Sequence, residues 1–277
     1  MQKVSLDRLP EKIRGAKKMI LDLCLRAGSA GAHLGGCLSL AEILTVLYTR
    51  HLVFDPQNPL WEERDRFVLS KGHGGLAQYA AMHQAGILSD EELSTPILGE
   101  ETMLYKHPQR NPQRGIEFTG GSLGQGLAFG LGEALALKLK GNDRSRVFVL
   151  LGDGELNEGS VWEALSVAGH QGYENLYLLV DVNGLQLDGF TKDIQRMDNL
   201  AARFESFGFA VLEADGHDPA AIDGAFSALP KGPAAILFQT KKGKGVSFAE
   251  DRYEWHARPL PKDLYQIALG DLGLEDA

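Results

Sequence analysis

The stretch 147–189 constrains this chain more than any other. VFVLL (147–151) is a short apolar run, GDGELNEGS interrupts it, VWEALSVAGH has helical spacing, and LYLLV (176–180) is a second apolar run leading into DVNGLQLDG. Strands that lack polar alternation must be covered on both faces, and a strand–helix–strand unit makes its strands parallel. RFVLS (66–70), FAVLEA near Phe209 and AAILFQT near Ala235 continue the alternation. The expected fold class is α/β: an open, doubly wound, mostly parallel sheet with helices on both faces. With 277 residues, 44% of them hydrophobic, such a core can be built. No internal repeat, low-complexity tract or linker divides it, so one domain over 1–277 is expected.

Around this unit the punctuation is glycine-rich. Ile13, Ile20, Leu23, Cys24 and Ala27 form the stripe of an amphipathic helix, GSAGAHLGG (28–36) breaks it, and Ser39 with Glu42 reads as the capping box of a second helix. KGHGG follows the strand at 66–70, and Ser89 with Glu92 suggests a further cap. The Pro-punctuated segment 95–115 reads as a long functional loop. TGGSLGQG (119–126) then feeds straight into a helical stretch, an arrangement that favours an anion at the helix N-terminus.

Composition removes several function classes. Against 28 basic residues stand 37 acidic ones, a net charge of −9, which argues against nucleic-acid binding. No apolar run reaches the roughly 18 residues of a membrane span, and MQKVSLDRLPEKIRGAKK lacks the apolar core of a secretory signal, so a cytoplasmic protein is expected. Cys24 and Cys37 have no metal-ligand spacing and read as free thiols.

Ligands of open parallel sheets bind beyond the carboxyl ends of the strands. Asp153 and Asn183 occupy that position on two neighbouring strands, thirty positions apart, with a further Asp188-Gly189 behind them. Alone, GDG reads more readily as a turn after a strand than as a metal site. As a pair, one carboxylate and one amide oxygen cannot cage Mg²⁺, which prefers six oxygens and takes several from phosphate and water. The metal would therefore arrive with a diphosphate, Gly152 and Gly154 letting the backbone approach it and the helix from about Ser160 adding its positive end.

Taken together, GDG through DVN resembles the thiamine-diphosphate fingerprint, and GDGELNEGSVWEAL resembles transketolases in particular. GAHLGGCLSLAEIL, FVLSKGHGG, KHP, GGSLGQG and KKGKGVSF followed by WHARP stand in the order of a transketolase N-terminal half. The resemblance implies a thiamine diphosphate-binding fold in which Asp153, Asn183 and the Leu185 carbonyl hold Mg²⁺, or alternatively Ca²⁺ or Mn²⁺. It places the cofactor against His73, Gly121, Ser122, Leu123, Gly152, Gly154, Glu155 and His256, with His33 and His107 in the substrate channel. Glu158 matches a glutamate that communicates between two active sites. The implied reaction is transfer of a two-carbon ketol unit between sugar phosphates. In the family a different glutamate, the one that protonates the cofactor's pyrimidine, lies on a further, pyrimidine-binding domain past the position of Ala277, so that domain is expected on a partner chain, in an α2β2 assembly. Alternatives are a specialised sugar ketol transferase, the α subunit of a 2-oxoacid dehydrogenase, or a non-catalytic cofactor-binding module. His51, His83, His170 and His217 are read as structural, and Lys241, Lys242 and Lys244 as a solvated surface outside the site.

Overall fold

A computed structural model describes residues 3–95, 97, 102 and 104–275. Five strands form one sheet: β1 (Arg66–Leu69), β2 (Val147–Gly152), β3 (Leu176–Val182), β4 (Ala210–Asp215) and β5 (Ala234–Gln239). Their order is β1-β2-β3-β5-β4, and every pairing is parallel. Central strands β2 and β3 carry the apolar runs because both of their faces are covered. Phe148, Leu150, Tyr177 and Leu179 enter one core cluster, and Val147, Val149, Leu176 and Leu178 enter the other. Helices α1 (Leu9–Arg26) and α2 (Gly75–Gln84) contribute to the first cluster, and α3 (Gly126–Leu139) and α4 (Gly159–Gln171) to the second. The doubly wound α/β fold is thus present. No helix among the described residues is long and apolar enough to cross a membrane.

Close packing of α4 depends on one residue. A Cβ built on Gly169 would lie 1.7 Å from the Phe207 carbonyl oxygen, so only glycine lets the helix approach that backbone. Gly169→Ala is expected to cost about 1–3 kcal/mol, the usual penalty of overpacking, read as a lowered urea midpoint at unchanged slope.

Local expectations fare unevenly. Ser89 and Glu92 form their capping box, with Glu92 N–H donating to Ser89 Oγ at 3.2 Å and Ser89 N–H to Glu92 Oε2 at 2.9 Å. Ser39 and Glu42 do not. The Ser39 hydroxyl bonds Asp181 instead, at 2.7 Å, and Glu42 pairs with Lys17 at 2.6 Å, because buried charged partners outcompete a helix end. Nor is 28–36 a continuous loop, since Leu34–Leu38 is helical. Gly35 and Gly36 serve contact there: Lys242 and Trp255 press on the first, the His73 ring on the second. Of the loop expected at 95–115, residues 96, 98–101 and 103 lie outside the described residues, and Pro112–Arg114 forms a short 3₁₀ turn. Cys24 and Cys37 are free and buried.

Candidate active site

Adjacent strands β2 and β3, in register at Gly152 and Asp181, end side by side, and the loops that follow them form the floor of a cavity of about 390 Å³. Asp153, 4% exposed, accepts from Gly154 N–H at 2.8 Å and from Gly184 N–H at 2.6 Å, so its carboxylate bridges the two loops. Burial, reinforced by the nearby Asp181 carboxylate, pushes the Asp153 carboxyl up to about 7. Asn183 is oriented from both ends: its Nδ2 donates to Asp181 at 2.9 Å while its Oδ1 accepts from Leu185 N–H at 3.0 Å. Beneath them Asp181, 1% exposed, also accepts from Ser39, Thr240 and the Lys71 ammonium. Burial acts to raise the Asp181 carboxyl, but Lys71 and these hydrogen bonds outweigh it and hold the group below the ordinary carboxylate range.

Four histidines from distant segments form the wall. His33 has its ring centroid 5.7 Å from His73, 5.0 Å from His107 and 5.3 Å from His256, and His73 and His256 are 5.1 Å apart. All four are held below the usual imidazole range, first by burial and then by one another and by Lys71, Lys106 or Lys242. His33 falls to about 3 and His256 to about 4. At neutral pH the wall therefore presents uncharged rings that both donate and accept hydrogen bonds. The linkage has a definite sign. Below pH about 6.5 an unfolded chain takes up protons that the fold refuses, so these groups leave stability intact above that pH and remove it as pH falls toward 4. Without added ligand, the melting temperature of His33→Phe should fall less between pH 7 and 4.5 than that of the unsubstituted chain; parallel curves would contradict this.

Of the residues expected at the site, His33, His73, His107, His256, Gly121, Leu123, Gly152, Asp153, Gly154, Glu155, Glu158, Asn183 and Leu185 line this one cavity. Ser122 is exposed and does not. Glu155 is there as a tie: its carboxylate accepts from Gly124 N–H, Gly152 N–H and Ser70 Oγ, fastening the glycine-rich turn to the floor. Lys242 corrects the expectation of a solvated lysine surface. It is 2% exposed and lines the cavity, its Nζ 3.1 Å from His256 Nδ1 and 3.4 Å from the Gln186 carbonyl, and burial lowers it to about 8. Lys241 beside it is exposed, as expected. Asn157 and Gln186 also line the cavity and were not read from the sequence. Among the histidines read as structural, His51 pairs with Asp223, His83 with Asp90 and His217 with Glu42.

A larger cavity, about 580 Å³, lies at the opposite end of the sheet beside Arg146 and Tyr173. Its arginines are already paired, Arg146 with Asp65 and Arg144 with Glu63, so it lacks the convergent free donors of the histidine-walled cavity.

The donor set fits a divalent cation that brings part of its own coordination. No group of three or more His, Cys, Asp or Glu among the described residues is placed to hold a metal. One buried carboxylate, one oriented amide oxygen and a backbone carbonyl leave about half of an octahedral shell to a ligand's oxygens and water. Among the described residues only backbone N–H groups bond the buried Asp153 carboxyl, and a metal at that point would favour its ionised form.

Comparison with known proteins agrees with this geometry. A 6-deoxy-6-sulfo-D-fructose transketolase subunit of Clostridium sp. (strain MSTE9) is 40% identical over 249 residues, 88% of this chain and 90% of its own length. One of the apulose-4-phosphate transketolase subunits of Actinobacillus succinogenes is 40% identical over 272 residues, 97% of each chain. The crystal structure of transketolase from Campylobacter jejuni superposes with a TM-score of 0.88 at 32% identity, covering 98% of this chain and 43% of that one. Residues 12–277 match the family described as the transketolase, thiamine diphosphate binding domain, and the chain accordingly belongs to the transketolase family.

Proposed function

We propose that this chain is the N-terminal subunit of a two-chain transketolase, transferring a two-carbon ketol unit from a ketose phosphate to an aldose phosphate. The carrying observation is the wall of four clustered, neutral histidines standing over the Asp153–Asn183 floor. In this reading 1–277 is one diphosphate-binding domain of a cytoplasmic protein. A C-terminal subunit brings the pyrimidine-binding domain, the two assembling as α2β2 with the cofactor across their interface. Supporting the division, the subunit-named relatives are matched over nearly their whole length, whereas the C. jejuni transketolase is matched over 43% of its own.

Asp153, Asn183 and the Leu185 carbonyl would hold Mg²⁺, with Gly154 beside the diphosphate. Thiamine diphosphate, when bound, supplies the electron sink that cleavage of a ketose carbon–carbon bond requires. The chain's own residues orient and exclude. Leu123 and the glycine turn, fastened by Glu155, close one side. His33, His73, His107 and His256 hold sugar hydroxyls and carbonyls and move protons at those oxygens.

The test is two-carbon transfer to ribose 5-phosphate by the chain alone and with its partner chain. Xylulose 5-phosphate, 6-deoxy-6-sulfo-fructose and apulose 4-phosphate would be offered as donors; the last two follow the names of the relatives. Activity is expected only from the pair. A pair that binds thiamine diphosphate yet transfers from none of these donors would defeat the proposal. His107→Ala is expected to leave cofactor affinity unchanged while kcat drops about 100-fold, the usual effect of losing one proton-handling group.

A further inference from the structure

We propose that His217, which does not line the cavity, is a positioning residue for it: by holding the peptide of Lys241 it sets the direction in which Lys242 enters the site. The inference rests on the reading of the cavity given above, although the hydrogen bonds that carry it stand independently.

The turn after β5 is fastened at three successive points. Thr240 N–H donates to the Val182 carbonyl at 3.1 Å, continuing the sheet, and Gly243 N–H donates to the Gly35 carbonyl at 2.9 Å. Between them Lys241 N–H donates to His217 Nε2 at 2.8 Å. His217 comes from the turn after β4, and its Nδ1 lies 3.3 Å from Glu42 Oε2. A ring that accepts at Nε2 carries its proton on Nδ1, so the contact with Glu42 and the grip on Lys241 require the same tautomer. Glu42 is 4% exposed, and its other oxygen pairs with Lys17 at 2.6 Å. Burial tends to raise the Glu42 carboxyl, but His217 and Lys17 prevail and keep it below its ordinary range, as an anion that fixes the ring. A line of contacts thus runs from Lys17 on α1 through Glu42 and His217 to the Lys241 peptide, and ends at Lys242 Nζ beside His256.

The experiment follows the ring of His256 by NMR in isotope-labelled full-length chain, alongside the affinity for Mg²⁺–thiamine diphosphate of the chain assembled with its partner. His256 faces Lys242, Lys71, His107, His33 and His73, and after burial the Lys242 ammonium does most to depress it. In His217→Ala the Lys241 peptide loses its acceptor. The His256 titration should then move upward by most of the shift seen in Lys242→Met, and cofactor affinity should fall about tenfold, as for other orienting groups. His217→Gln keeps an acceptor for Lys241 and a donor for Glu42, and should restore both. The proposal is overturned if His256 in His217→Ala titrates as in the unsubstituted chain, or if the alanine and glutamine variants behave alike. An upward shift with unchanged cofactor affinity would uphold the positioning role and count against the cofactor reading of the cavity.

Discussion

Asp153→Ala should weaken Mg²⁺-dependent binding of thiamine diphosphate by about 100-fold or more, roughly 2.8 kcal/mol. Asp153 supplies the single charged side chain of the donor set, and Asn183 with a carbonyl cannot compensate two positive charges on their own. The same carboxylate accepts N–H groups from Gly154 and Gly184, so the loops after β2 and β3 lose their common tie. Asp153→Asn keeps one oxygen acceptor and should fall between the two. Calorimetry on the chain assembled with its partner measures this directly, and a thermal-shift control without ligand separates binding from folding. An alanine variant with unchanged affinity would remove Asp153 from the metal site.

A loss of about 3–5 kcal/mol in stability is expected for Asp181→Ala, because it leaves the Lys71 ammonium buried at 1% exposure without its partner. The reverse substitution, Lys71→Met, should cost less. The Asp181 carboxylate would still accept from Ser39, Thr240 and Asn183, whereas an orphaned ammonium has no comparable set of acceptors. The double variant should be more stable than Asp181→Ala alone, since no buried charge remains uncompensated. Urea denaturation of the three variants tests the asymmetry. If both single variants lie within about 1 kcal/mol of the unsubstituted chain, the pair is not the internal support described.

The contrast between Asp153 and Asp181 shows what was legible in the sequence. Asp153 sits between two glycines just past an apolar run, where a strand must end and a loop must open, and its place at the sheet edge follows from pattern alone. Asp181 extends the run LYLLV by one residue, and nothing in period or composition says that a carboxylate there is buried on four donors, most of them drawn from other segments. Lys71 is hidden in KGHGG for the same reason. Lys242 is concealed by its neighbours, because a lysine run is ordinarily solvated, and only the turn after β5 separates exposed Lys241 from buried Lys242. The strands β2, β3 and β5 were readable because burial on both faces leaves a mark on nearly every residue, a mark that β4, nowhere buried, does not carry. The histidines were readable through their glycine- and proline-marked surroundings and the family wording. The Ser39–Glu42 cap misled because a short motif does not show which competing partner a side chain will meet.

The floor and the wall of the cavity also differ in when they can come into being. Asp153, Asn183 and Leu185 belong to one strand–helix–strand unit and can meet as soon as that stretch has emerged during synthesis. The ring of histidines closes last, for His256 joins His33 and His73 only after most of the chain has been made. Contacts of such long sequence separation form late, at the cost of closing a large loop. A ribosome-bound nascent chain that has already formed the floor would therefore still lack His256, and the cavity is complete only at the end of its own assembly.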